Sequence, residues 1–308
     1  MTTQTNWQAT FEEFLLIKQA AGRSPRTLDD YRRHVPVFFQ EHPDAWPDVH
    51  TLKRAVAAHF ASLRDKSATY FNLRREYLKA FFAWCVEEGY LPSNPLNGIP
   101  KRRNEGNCRN VDADTLKRLL ELPDQRTYAG LRDYALMLLQ LDTGIRPGEA
   151  FQLLPEHFRL SALEVTIPAT TAKTRTARTV VMSPQTAKAI RKLLAARPAD
   201  WGDDVPVFAS ASGRQLDRNA WARRIADYAR KLGVRITPYM LRHTSAIMFL
   251  RGGGHVFALQ RQLGHTSLTM TKRYVHLAES DLHEQHAMAS PVNQLLPQRT
   301  RARKVGRS

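Results

Sequence analysis

The chain of 308 residues contains only two cysteines, Cys85 and Cys108, and no CxxC pair. That excludes a disulfide framework and a cysteine-rich zinc module, and points to a reducing, cytoplasmic setting. No stretch approaches the roughly 18 consecutive apolar residues of a membrane span. The opening Met1-Thr-Thr-Gln-Thr-Asn6 is polar where a signal peptide would be apolar, so neither export nor membrane insertion is expected. Acidic residues are scarce, 29 against 46 lysines and arginines, for a net charge of +17 and a pI near 10.3. This imbalance implies a polyanionic partner, nucleic acid first and an acidic membrane surface second. Carboxylates do not cluster as two-magnesium nucleases require. A zinc hydrolase built on His276, His283 and His286 lacks its motif, since His283-Glu-Gln-His286 does not have the HExxH spacing. Internal repeats are also missing.

What is present is apolar content of 43%, enough for ordinary cores, in a length that suggests two domains. The first third carries four amphipathic helical patterns. Thr10 with Glu13 has the form of a capping box ahead of Phe11, Phe14, Leu15 and Ile17, with Gly22 near the end. Ser24-Pro25 supplies a cap and a first-turn proline for Leu28, Tyr31, Val35 and Phe38. Leu52, Val56, Phe60 and Leu63 form a third stripe. Tyr70, Leu73, Tyr77, Leu78, Phe81 and Phe82 form a fourth, closed by Gly89 and Pro92. These stripes are core-forming. The basic residues Arg26, Arg32, Arg33, Arg74, Arg75 and Lys79 are candidates to meet DNA phosphates, although each taken singly also suits a solvated face.

Periodicity lapses from Leu91 to Asn110, where Pro92, Pro95 and Pro100 precede a polar run. The expected organisation is a helical domain over 1–100, a linker over 101–110, a second domain over 111–290 and a basic tail over 291–308. The second domain opens with helices around Leu116–Leu120 and Leu131–Leu141. Its period then changes: Leu163–Ile167 and Arg178–Met182 alternate as strands across a polar crossing, which predicts a small antiparallel sheet. Helices follow at 186–196, 217–232, 238–250, 257–263 and 267–277. The fold class is therefore mainly α with a small antiparallel β-sheet.

Four segments of the second domain carry reactive side chains. In Leu141-Asp-Thr-Gly-Ile-Arg-Pro-Gly-Glu149, Arg146 stands in a turn that begins a helix, with Glu149 three residues on and able to hold it. Lys173 lies in the polar crossing between the two strands. Thr237-Pro-Tyr-Met-Leu-Arg-His-Thr-Ser-Ala246 puts Tyr239 and Arg242 one turn apart on one helical face. Leu263-Gly-His-Thr-Ser-Leu-Thr-Met-Thr-Lys-Arg-Tyr-Val-His276 sets His265 at a turn and Tyr274 on the next helix. Alone, the histidine reads equally as a cap and the tyrosine as core.

Together and in this order, TGIRPGE, a hairpin lysine, LRH and LGHTSLTMTKRY resemble the tyrosine recombinases, or phage integrase family, over nearly the whole chain. The resemblance implies an N-terminal core-binding, SAM-like helical bundle and a C-terminal catalytic domain. It makes Arg146 and Arg242 the arginine pair, Lys173 the hairpin lysine, His265 the late histidine and Tyr274 the nucleophile. The implied activity is site-specific cleavage and rejoining of DNA through a covalent 3′-phosphotyrosine, for integration, excision or resolution of DNA elements, without ATP, metal or other cofactor. The implied partners are double-stranded recombination sites and three further copies of the chain, a homotetramer on two paired sites. Guanidiniums suit this chemistry because they stay charged and bind pairs of phosphoryl oxygens as charge builds there. Lys173 would protonate the leaving 5′-oxygen.

One position departs from the family pattern. Histidine usually stands three residues before the second arginine, and this chain has Tyr239, a phenol suited to donating a hydrogen bond rather than taking a proton at neutral pH. A type IB topoisomerase or a telomere resolvase would share the chemistry, and a non-enzymatic DNA-binding protein would share only the charge and the helices. The apolar residues Leu277, Leu282, Met288, Val292, Leu295 and Leu296 fit docking on another subunit or packing on their own domain.

Overall fold

The computed structural model describes residues 6–103, 110–172, 176–278, 286 and 290–295. Lys173 lies outside these residues, as do Cys108, His283 and most of the basic tail. The chain divides into two compact units, Met1–Gly106 and Asn107–Ser308.

The first unit is a bundle of α1 (Trp7–Ala20), α2 (Pro25–Glu41), α3 (Val49–Ser62) and α4 (Ala68–Glu87). Helix α1 begins three residues before Thr10, so the expected Thr10–Glu13 capping box does not form. Asn6 caps instead, its side-chain oxygen accepting from the Ala9 amide at 2.7 Å, and the Thr10 hydroxyl donates to the Asn6 carbonyl. The extension is stabilised by Trp7, whose ring stacks on Phe39 with centroids 4.6 Å apart. Ser24 and Pro25 start α2 as their sequence implies. The core is aromatic: Phe11, Phe14, Phe38, Phe39, Phe81 and Phe82 are buried, mostly edge to face. Each such side chain contributes about 1.5–3 kcal/mol through burial.

The second unit is built around α6 (Tyr128–Thr143), which packs against α8 (Pro184–Ala195) and α10 (Pro238–Arg251). It buries several polar side chains of α6, Asp133 and Gln140 among them. Asp133 accepts from Arg132 at 2.7 Å, and from Arg224 and Tyr228 of α9 (Arg218–Lys231) at 2.7 and 2.9 Å; Gln140 accepts from the Trp221 indole at 2.8 Å. The three-stranded antiparallel sheet runs β1 (Phe158–Arg159), β2 (Glu164–Ile167), β3 (Arg178–Val181), with Val165 opposite Val180. Strands β2 and β3 are the predicted hairpin. Strand β1, two residues long, is too short to show a period. Helices α5 (Ala113–Glu121), α7 (Pro147–Ala150), α11 (Val256–Leu263) and α12 (Leu268–Ala278) complete the part used below. Among the described residues no helix is long and apolar enough to cross a membrane.

Candidate active site

Local rules bring the predicted residues of the second unit together. Helix α6 ends at Gly144, which adopts a left-handed conformation (φ 63°) and returns its amide to the Gln140 carbonyl at 3.0 Å. A Cβ here would lie 2.5 Å from a Leu263 methyl, so glycine is required twice over. Ile145 is buried, and Arg146 then leads into the single turn of α7 with Pro147 at its first position. Gly264 plays the same part after α11 (φ 61°), where a Cβ would meet the Arg178 guanidinium at 2.8 Å.

The C-terminal carbonyls of α11 bind the arginines. Such carbonyls have no partner within the helix and lie at the negative end of its dipole. Arg146 donates to the Leu263 carbonyl at 3.3 Å and to that of Gly264 at 3.4 Å. Arg242 donates to the same Leu263 carbonyl at 3.0 Å, and also to the carbonyl of Gly144. Two guanidiniums thus converge on one oxygen. Behind them Glu149, buried and 3% exposed at its side chain, bonds Arg146 at 3.1 Å and Arg178 of β3 at 2.6 and 3.3 Å. Burial alone would raise the Glu149 carboxyl. The hydrogen bond and charge of Arg178, then the charges of Arg146 and Arg242, outweigh it and hold the group below its ordinary value. Arg242 moves the other way: burial first, and Arg146 second, bring it down to about 10, which still leaves it cationic at neutral pH.

On the far side of Arg242 lie the histidine and the tyrosine. The His265 Nε2 is 3.2 Å from Arg242 Nη2, and because a guanidinium only donates, this nitrogen accepts. Its Nδ1 therefore carries the proton and donates to the Thr271 hydroxyl at 2.8 Å. The ring of Tyr274 lies nearly parallel to that of His265, with centroids 6.2 Å apart, and is wholly buried. Its hydroxyl is 2.7 Å from Nδ1 of His243, the residue after Arg242.

Arg146, Glu149, Arg242, His265 and Tyr274 accordingly form one constellation. Tyr239 sits a turn earlier on α10 and is 44% exposed. Sequence reasoning missed three members. Arg178 was visible only as a polar residue at the start of a strand, Thr271 as one of several threonines, and His243 as the last letter of LRH. In the first unit Arg26, Arg32, Arg33 and Lys79 are exposed. Arg74 and Arg75 are buried: Arg74 donates to the Tyr70 hydroxyl and the His34 carbonyl at 3.0 Å, and Arg75 to the Ile99 carbonyl at 2.6 Å and to Glu76 at 2.8 Å.

Three guanidiniums against one carboxylate leave the described site with an excess of positive charge beside an enclosed phenol. Such an arrangement can stabilise an anionic group beside a phenolic oxygen. Comparison with known proteins points the same way. The sequence profile of the Phage integrase family matches residues 109–281. The tyrosine recombinase XerC of Xylella fastidiosa (strain M23) is 30% identical over 291 residues, covering 90% of this chain and 95% of that protein. Among solved structures, the XerA recombinase is 26% identical with a TM-score of 0.52, covering 92% of this chain and 99% of that one. A lambda integrase tetramer bound to a Holliday junction is 17% identical with a TM-score of 0.70, covering 89% of this chain and 78% of that one.

Proposed function

The chain belongs to the phage integrase family, and we propose that it is a site-specific tyrosine recombinase in which Tyr274 attacks a DNA phosphate. The observation that carries this reading is the convergence of Arg146 and Arg242 on the Leu263 carbonyl, one residue from the His243 that contacts Tyr274. Two like charges held together, one buried and one half-buried, are costly, and a doubly liganded phosphate relieves the repulsion most when its oxygens gain charge in the transition state.

In the proposed reaction the Tyr274 oxygen forms a bond to phosphorus as the bond to the 5′-oxygen breaks. The arginine pair holds the non-bridging oxygens, and His265, fixed by Thr271, keeps Arg242 in place. Lys173, in the crossing between β2 and β3, would protonate the departing 5′-oxygen. Attack by a 5′-hydroxyl on the 3′-phosphotyrosine reverses the steps, and strand exchange follows when that hydroxyl comes from the partner duplex. The phosphate ester to tyrosine conserves the energy of the broken bond, so rejoining needs no ATP. Because Tyr274 has no exposed surface, its hydroxyl meets DNA only after the residues covering it rearrange.

Double-stranded DNA is the proposed partner, with assembly as a homotetramer on two paired sites, in keeping with the lambda integrase tetramer on a Holliday junction. In the first unit the exposed Arg26, Arg32, Arg33 and Lys79 are the proposed phosphate contacts, while Arg74 and Arg75 hold the bundle. A cytoplasmic location accords with Cys85, a buried free thiol pushed up to about 12 by burial. The test is recovery of protein–DNA adducts from cells expressing the chain. Tyr274→Phe should abolish them and Tyr239→Phe should not; adducts that survive Tyr274→Phe would overturn the reading.

A further inference from the structure

The proton of Tyr274 needs a destination, and the usual position for a second histidine is occupied by Tyr239, a phenol. His265 cannot serve while the site is intact. Its Nε2 is occupied by Arg242 and its Nδ1 bears a proton directed at Thr271, so neither nitrogen has a lone pair for the phenol. His243 is placed differently. It lies four residues after Tyr239, on the same side of α10, and its Nδ1 is 2.7 Å from the Tyr274 hydroxyl. The rings are 5.7 Å apart and tilted by 42°, which leaves the nitrogen facing the oxygen rather than stacking on the phenol. A distance of this size meets the geometric requirement for general-base catalysis.

Resting on the recombinase reading, we propose that His243 is the catalytic base that takes the Tyr274 proton. As the bond from the Tyr274 oxygen to phosphorus forms and the bond to the 5′-oxygen breaks, the phenolic proton passes to Nδ1 of His243, and the imidazole becomes imidazolium. In the reverse step the tyrosine oxygen leaves phosphorus and recovers that proton. The leaving 5′-oxygen is protonated separately, by Lys173 in the scheme above, so the two proton transfers do not compete. Among the described residues, the charged and titratable groups around the pair include Arg242 on α10 and His265 before α12. Behind Arg242 stand Arg146, Glu149 and Arg178 from the α7 turn and β3.

The experiment measures adduct formation on a nicked duplex carrying the site recovered from cellular adducts, across pH, for the full chain and for His243→Asn, His243→Ala and Tyr274→Phe. Asparagine keeps an acceptor oxygen for the phenol but cannot take its proton. His243→Asn should therefore form adduct about 100-fold more slowly. It should also lose the fall in rate toward acid pH that protonation of a histidine base would impose on the unaltered protein. Added imidazole should partly restore His243→Ala. A second measurement needs no DNA: nitrogen chemical shifts of His243 in the unaltered protein should show Nε2 protonated and Nδ1 bare. A wild-type rate and pH profile in His243→Asn, or a proton on Nδ1, would overturn the assignment. The two readings fail separately. Adduct formation by Tyr274→Phe removes the nucleophile itself, whereas silence in Tyr274→Phe with full activity in His243→Asn removes only the base.

Discussion

Both units draw arginines inward, and one pair from each is held differently. In the bundle, Arg74 and Arg75 reach separate acceptors: a tyrosine hydroxyl and the His34 carbonyl for one, Glu76 and the Ile99 carbonyl for the other. In the second unit, Arg146 and Arg242 share the Leu263 carbonyl, and a third guanidinium, Arg178, stands behind the single carboxylate of Glu149. The first arrangement is complete as it stands. The second carries more positive charge than its own residues balance, and that surplus is what an incoming phosphate would satisfy. Burial of an arginine alone therefore does not mark a site; the crowding of guanidiniums on shared acceptors does.

The sharpest way to break this comparison is to remove one arginine from each pair. Arg242→Ala should slow adduct formation by about 100- to 1,000-fold, in line with loss of one charge-stabilising donor. Arg75→Met should leave the rate unchanged below the unfolding temperature, and equal kinetic losses for both would erase the distinction. Next in size is Glu149→Gln, which leaves buried guanidiniums unbalanced and should cost about 3 kcal/mol of stability in a denaturant titration. Because the Glu149 carboxyl is lowered in the folded chain from an ordinary value of 4.5, its contribution is complete above that pH. It is lost as pH falls through the lower folded value, so Glu149→Gln should flatten that part of the acid unfolding curve.

Arg75→Met itself should cost about 1.5–3 kcal/mol, the worth of hydrogen bonds from a charged group, again by denaturant titration. The smallest effects belong to the exposed basic residues. Replacing Arg33 or Lys79 by alanine should weaken DNA binding alike for all sequences and reduce the slope of log affinity against log salt by about one each. A sequence-dependent loss would mean that these side chains read bases instead.

Where a local rule acts alone, the sequence was legible. Ser24-Pro25, Asp217 and Thr237-Pro238 start helices as expected, and Gly144 ends one because no other residue fits its conformation and its contact with Leu263. Where two rules compete, it was less so. Asn6 outcompeted Thr10 as the cap of α1 because Trp7 had a ring to stack on. Arg74 and Arg75 looked like surface charge, yet their spacing from Phe71, Leu78, Phe81 and Phe82 sets them on the buried stripe of α4, a signal their charge obscured.

The site divides in the same way. Arg146, Arg242, His265 and Tyr274 stand in motifs, whereas Arg178 reaches Glu149 from a strand 29 residues away, and only folding reveals that pairing. His243 was in plain view in LRH, but sequence gives no direction to its Nδ1.

The covalent link is the center of the account, and peptide mapping of the adduct tests it most directly. Proteolysis after Arg273 should release a peptide beginning at Tyr274 that carries a nucleotide through its 3′-phosphate, with a free 5′-hydroxyl on the other side of the break. A nucleotide on Tyr239, or a phosphate left on the 5′ end, would contradict it.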